Sequence, residues 1–139
     1  MKKQMRFFLC ILLAATLLCA CELNIKTKTK PYAEEMMTLL KQRDVEAAVE
    51  LLHPDTAEES DNIYSSMEAL CDFLDGRAVT ELKQQSVSVH NQIGTNAGKY
   101  ESGTYRVVLE DGTVLKVEYS YLTNKAGAGF TSFYLSVGA

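Results

Sequence analysis

Hydrophobic residues follow three different spacings along this chain. From Phe7 to Ala20 they run for 14 residues without a charge, behind Lys2, Lys3 and Arg6. From Pro31 to Gly76 they recur at helical intervals, and from Ala78 onward they alternate with polar residues. Pro31 suits the first turn of a helix, and Glu34 and Glu35 suit its positive end. Tyr32, Met36, Leu39, Leu40 and Arg43 give that helix one side. Asp44 is placed to cap a second helix on which Val45, Ala48, Val49 and Leu52 share a face, and His53-Pro54 stops it. A third helix starts near Ser60 or Asp61, buries Ile63, Met67, Leu70, Cys71 and Leu74, and ends at Asp75-Gly76, where Gly76 can turn left-handed.

Four strands follow: Val79 to Val89, Lys99 to Leu109, Thr113 to Thr123, and Phe130 to Val137. The apolar phase slips at Gln84-Gln85, which predicts a bulge. Gly94 to Gly98 and Asn124 to Gly129 read as turns. The register follows from the need to bury one face. Tyr105, Val107 and Leu109 form the inner set of the second strand, and Leu115, Val117, Tyr119 and Tyr121 that of the third. A two-residue Asp111-Gly112 loop would mix the faces. A three-residue Glu110-Asp111-Gly112 loop pairs Val107 with Leu115, Tyr105 with Val117, Gly103 with Tyr119 and Glu101 with Tyr121. Carried across the next turn, the same phase sets Phe133 beside Tyr121, Leu135 beside Tyr119 and Val137 beside Val117. The expected fold is α+β, with N-terminal helices on a curved four-stranded antiparallel sheet.

The first segment is a targeting signal. As a helix its 14 apolar residues would reach about 21 Å, short of a hydrocarbon core of about 30 Å. A basic start and a short apolar run define a secretory signal peptide over residues 1–20. Leu18-Cys19-Ala20-Cys21 resembles the bacterial lipobox, although Cys is less usual than Ala, Ser or Thr at its second position. The resemblance implies cleavage between Ala20 and Cys21 and a diacylglyceryl group on the Cys21 thiol. Two acyl chains, at about 0.8 kcal/mol per buried methylene, anchor such a protein durably. Residues 21–30 then form the lipidated cysteine and a Lys/Thr tether, and residues 31–139 form one domain. Glu22 after the cysteine bears no likeness to the Asp retention signal of Gram-negative lipoproteins. The expected location is the extracytoplasmic face of a cell membrane, that of a Gram-positive cell in the first instance.

Charge narrows the function. The net charge is -4; loss of Lys2, Lys3 and Arg6 with the signal makes it -7, and loss of Glu22, Lys26, Lys28 and Lys30 with the tether leaves -9 on the domain. Such a body repels phosphate backbones, so no nucleic-acid partner is expected. With Cys10 and Cys19 removed and Cys21 acylated, only Cys71 remains, and it lies on an apolar helical stripe that marks it as core. His53 at a helix end and His90 in alternating strand phase lack ligand spacing with Cys71, so neither a metal site nor a cofactor is expected. No nucleotide, hydrolase, metalloprotease or calcium-loop motif occurs, and no catalytic residue is assigned.

The hairpin from Tyr32-Ala33-Glu34-Glu35 through Arg43-Asp44-Val45-Glu46 to Leu52-His53-Pro54, with Phe73-Leu74-Asp75-Gly76 and the meander behind it, is similar to the nuclear transport factor two-like (cystatin-like cone) superfamily. Within it the chain resembles small lipoproteins of gut Firmicutes that share a domain of unknown function. The likeness covers residues 31 to 137 and implies a sheet wrapped around helices with a cavity at the wide end. It implies no reaction. Glu101, Tyr105, Tyr119, Tyr121 and Phe133 are the candidate cavity lining, with phenols as hydrogen-bonding groups among apolar walls. The outer face carries Arg106, Lys116, Glu118, Ser132 and Tyr134 and is open to an envelope protein or a second copy. The expectation is a lipid-anchored binding or accessory protein. The alternative is a small isomerase- or dehydratase-like enzyme using Glu101 with a tyrosine.

Overall fold

The computed structural model describes residues 28–59, 61–95 and 97–138; the signal segment, Ala20, Cys21 and the first part of the tether lie outside them. Among the described residues, helices α1 (Lys30–Gln42), α2 (Val45–Glu50), α3 (Pro54–Glu59) and α4 (Ile63–Leu74) precede β1 (Val79–Gln92), β2 (Gly98–Leu109), β3 (Val114–Asn124) and β4 (Gly127–Val137). The strands form one open, curved antiparallel sheet in the order β1-β2-β3-β4. The fold is α+β.

Each helix has a local cause. Asp44 accepts a hydrogen bond from the Ala47 amide at 3.1 Å and starts α2. Arg43, left-handed at φ 58°, closes α1 with its amide directed at Leu39 and Leu40 carbonyls. Pro54 ends the preceding segment but also opens α3, a short helix the periodicity did not reveal, because a proline's missing amide costs nothing in a first turn. The buried side of α1 is Ala33, Met36, Met37 and Leu40. That stripe is turned from the expected one: Tyr32 is 41% exposed and stacks on Tyr121 at 5.3 Å, while small Ala33 takes the close approach to the core. On α4, Met67, Cys71 and Leu74 are buried, and Ile63 and Leu70 are half-buried at its margin. Arg77 then clasps the C-terminal end of α4, donating to the carbonyls of Phe73 and Leu74 at 2.7 and 2.8 Å and reaching Asp111 in the β2–β3 turn at 3.3 Å.

The sheet register between β2 and β3 is as the alternation requires: Val107 opposes Leu115, Tyr105 opposes Val117, Gly103 opposes Tyr119 and Glu101 opposes Tyr121. Gly112, at φ 83°, takes the left-handed place in the three-residue turn. The phase slip in β1 is a register shift between Gln84 and Ser86. The β3–β4 register needs correction. Phe133 opposes Tyr119, Leu135 opposes Val117 and Val137 opposes Leu115, whereas Tyr121 opposes Phe130. The turn is tighter than expected, since Asn124 already pairs with Gly127, and a bulge after Ser120 takes up Thr131 as an extra residue.

One sheet edge is partly covered. Phe130 of β4 exchanges backbone hydrogen bonds with Leu51 (3.0 Å) and His53 (2.9 Å) in the α2–α3 connection. A Cβ at position 129 would lie 2.4 Å from the Leu52 and His53 backbone, so only glycine admits this approach.

The register predicts an asymmetry between neighbours. Val117→Asp places a charge at a fully buried site and should cost several kcal/mol. Lys116→Asp, at an exposed site paired with Glu118, should change stability by about 1 kcal/mol or less. Denaturant midpoints compare them directly; equal losses would contradict the facing of β3.

Candidate functional site

On the inner face, Gly103 has no side chain to hold Tyr119 away. A Cβ there would meet the Ser86 carbonyl oxygen at 2.2 Å and the Tyr119 hydroxyl at 3.1 Å. The phenol therefore lies close over β2 and donates to Glu101 Oε1 at 3.0 Å. Thr29, the residue at the entrance of α1, donates to the same oxygen at 2.5 Å. A threonine hydroxyl carries one proton, so at its contact with the Tyr105 hydroxyl, at 3.0 Å, Thr29 accepts. Gln84 at the β1 bulge donates to the Tyr119 hydroxyl at 3.3 Å. The result is a directed network from two phenols and an amide onto one carboxyl oxygen. Thr29 is 1% exposed, Glu101 7%, Tyr119 3% and Tyr105 0%.

Thr29 thus makes no cap for its own helix, where threonine would ordinarily serve, and bonds across to the sheet instead. Thr29, which reads as spacer in the sequence, reaches the core. Burial pushes the Tyr119 phenol well above its usual value of 10, and its contacts with Thr29 and Gln84 offset only part of this. Tyr121 is raised too, by burial first and then by its neighbour Tyr32.

The five sequence-derived residues share this inner region, joined by one the sequence reading left out. Tyr105 stacks on Tyr119 with centroids 5.0 Å apart. Fully buried Phe130 meets Tyr121 at 5.0 Å, Phe133 at 5.1 Å and Tyr119 at 6.2 Å, edge to face in each case. Phe130 is the hub of the aromatic group. Thr29 and Gln84 were also missed; the phase slip marked Gln84 as irregular, but nothing in the Lys/Thr alternation singled out Thr29. Chemically, the Glu101 oxygen facing the core already has two internal donors, and a substrate hydroxyl would have to displace Thr29 to use it.

His53 stands immediately before α3. It is fully buried, its Nε2 bonds Asn124 Oδ1 at 2.9 Å, and its Nδ1 accepts from the Asp55 amide at 3.3 Å. These two bonds fix the β3–β4 turn to α3. His90 is exposed and stacks on Tyr100 at 5.3 Å, and Cys71 is free and buried. Among the described residues no group of three or more His, Cys, Asp or Glu is placed to hold a metal, and no helix is long and apolar enough to cross a membrane.

The outer face has its own order. Ser88, Ser102, Ser120 and Ser132 are register partners across all four strands, and Ser86, Thr104, Glu118 and Tyr134 form the adjacent row. Ser102 bonds Ser120 at 3.1 Å and Ser86 bonds Thr104 at 2.9 Å. The rows floor an open depression of about 450 Å³, with Tyr134 64% exposed beside it. Glu118 is paired with Lys116 at 2.5 Å. Set against protein-family models, curated proteins and solved structures, the chain matches none of them.

The buried phenols give the site a pH signature. Both folded and unfolded chains hold these protons below pH 10, and above it the unfolded chain loses them first. Stability should therefore be level up to about pH 9 and fall as pH rises towards about 11. In Tyr119→Phe, already less stable at neutral pH, that alkaline fall should be shallower. Urea midpoints across this range check it; an unchanged alkaline slope in the variant would place the titration elsewhere.

Proposed function

We propose that this chain is a lipid-anchored protein of the extracytoplasmic membrane face, of the nuclear transport factor two-like cone class, and that it binds a ligand without transforming it. The helices-then-meander order supports the cone assignment at the level of architecture. The lipobox-like Leu18-Cys19-Ala20-Cys21 supports the anchor. The observation that carries the non-catalytic reading is Glu101: its inward oxygen is engaged by Thr29 and Tyr119, so the one inner-face acid considered for proton transfer serves to join the helices to the sheet.

The ligand surface is then the outer face. Serine and threonine hydroxyls donate and accept with a freely turning proton, as sugar hydroxyls do. Strands about 4.8 Å apart space the four serines at intervals close to the length of a pyranose residue. Exposed Tyr134 offers a ring for the apolar face of a sugar, and the Lys116–Glu118 pair leaves the rows without a net charge to attract a phosphate. A neutral, polyhydroxylated chain fits this chemistry. The enzyme alternative retains one supporting feature, the contact between Glu101 and the Tyr119 phenol.

The test uses full-length protein from the membrane fraction. Its N-terminus should carry diacylglyceryl mass on Cys21, and Cys21→Ala should leave an unprocessed precursor. Titrated with soluble chitooligosaccharides and maltooligosaccharides, it should bind members of one series, with about tenfold or greater loss in Tyr134→Ala and little change in Glu101→Gln. An unlipidated N-terminus would remove the anchor. Binding that survives Tyr134→Ala and fails in Glu101→Gln would move the ligand to the inner face and favour the enzyme.

A further inference from the structure

We infer that the chain forms a two-fold dimer by pairing the second half of β1 with the same segment of another copy. The sheet has two edges, and they differ. The β4 edge is occupied at Phe130 by the Leu51–His53 backbone, whereas among the described residues no strand or bridge pairs the outer edge of β1. An edge strand exposes a row of amides and carbonyls that another strand satisfies, and soluble proteins usually guard it with charge, proline or bulges.

Such guards occupy only the first half of β1. Glu81, Lys83 and two register shifts lie between Val79 and Ser86. From Gln84 to Gly98 the sequence is QQSVSVHNQIGTNAG, without an Asp, Glu, Lys, Arg or Pro. In a domain of net charge -9, a second copy meets little repulsion at such a stretch. It also carries two uncovered aliphatic residues: Val89 is 52% exposed and Ile93 94%.

The segment is complementary to itself. Antiparallel pairing centred on Ser88 sets Ser88 against Ser88 on the axis, and Val87 against Val89 and Ser86 against His90 of the other copy, each of these off-axis contacts occurring twice, as two-fold symmetry requires. Val87 and Val89 share one face, so four valines meet there. On the other face Ser88 extends the serine row, Ser88–Ser102–Ser120–Ser132, into the same row of the second copy. Aliphatic and hydroxyl cross-strand pairs are both favourable. This inference rests on the edge and not on the ligand reading above, and either stands without the other.

The experiment uses the full chain in mild detergent. Light scattering with size separation should give twice the protomer mass, falling to the protomer mass in Val89→Lys, whose dimer should weaken by about tenfold or more while its circular dichroism is unchanged. Directly opposed residues stand about 4.5–5.5 Å apart, within disulfide reach. Ser88→Cys should therefore cross-link two copies under mild oxidation, and Ser102→Cys, one strand in from the edge, should not. A protomer mass for the unaltered chain, a dimer indifferent to Val89→Lys, or cross-linking through position 102 and not 88 would overturn the edge pairing; the last would place the contact on the sheet's outer face.

Discussion

A carboxyl group taken out of water must be given donors, and Glu101 receives them from parts of the chain far apart in sequence. Thr29 comes from the entrance of α1 and Tyr119 from β3, and both bond the same oxygen. Left unpaired, such a group would cost several kcal/mol. The buried acid therefore specifies where α1 begins, how closely β2 and β3 carry Tyr119 over Gly103, and which way the β1 bulge turns Gln84. At the other end of the helical layer, Arg77 ties the last carbonyls of α4 to the β2–β3 turn. Between these two clasps the core is filled by nondirectional packing of Met36, Met37, Leu40, Leu74 and the Phe130 aromatic group. Such packing excludes water but tolerates sliding, and the polar clasps fix the register of helices on sheet.

Much of this was legible in the chain, for identifiable reasons. Period-2 alternation and the need to bury one face were enough to choose a three-residue turn at Gly112 and hence the whole β2–β3 register. Asp44, a hydroxyl-free cap of the acidic kind, announced α2. The β3–β4 register was not legible, because a two-residue turn and a bulge at Thr131 shift the pairing by amounts that no side-chain pattern encodes. Pro54 was ambiguous: proline both stops and starts helices, and what decides here is the bonding of His53 to Asn124 and to the Asp55 amide.

The site divided in the same way. Glu101, Tyr105, Tyr119, Tyr121 and Phe133 share a face because strand alternation places them there. Thr29 was hidden because its role is set by a partner 72 positions away, and a tether of alternating Lys and Thr gives no local sign that one hydroxyl turns inward. Phe130 lies next to a glycine-rich turn, where a strand end ordinarily frays, and is held by its Tyr121 partner, its aromatic neighbours and the Leu51–His53 backbone crossing beside it. The outer face shows the reverse relation. Its serines are unremarkable singly in sequence, and their alignment across four strands emerges only with the register.

The claim that the Thr29–Glu101 contact joins the helical layer to the sheet is tested most directly by a double-mutant cycle on the full chain. Thr29→Val removes the donor and Glu101→Met the acceptor, each leaving a buried partner without its mate, at a cost of about 1–3 kcal/mol in urea unfolding. With both replaced by apolar groups of similar shape, part of that cost should return, so that the double variant is more stable than the sum of the singles by about 1 kcal/mol or more. Losses that add to within about 0.5 kcal/mol would show that the two side chains act independently and that something else sets the helices on the sheet.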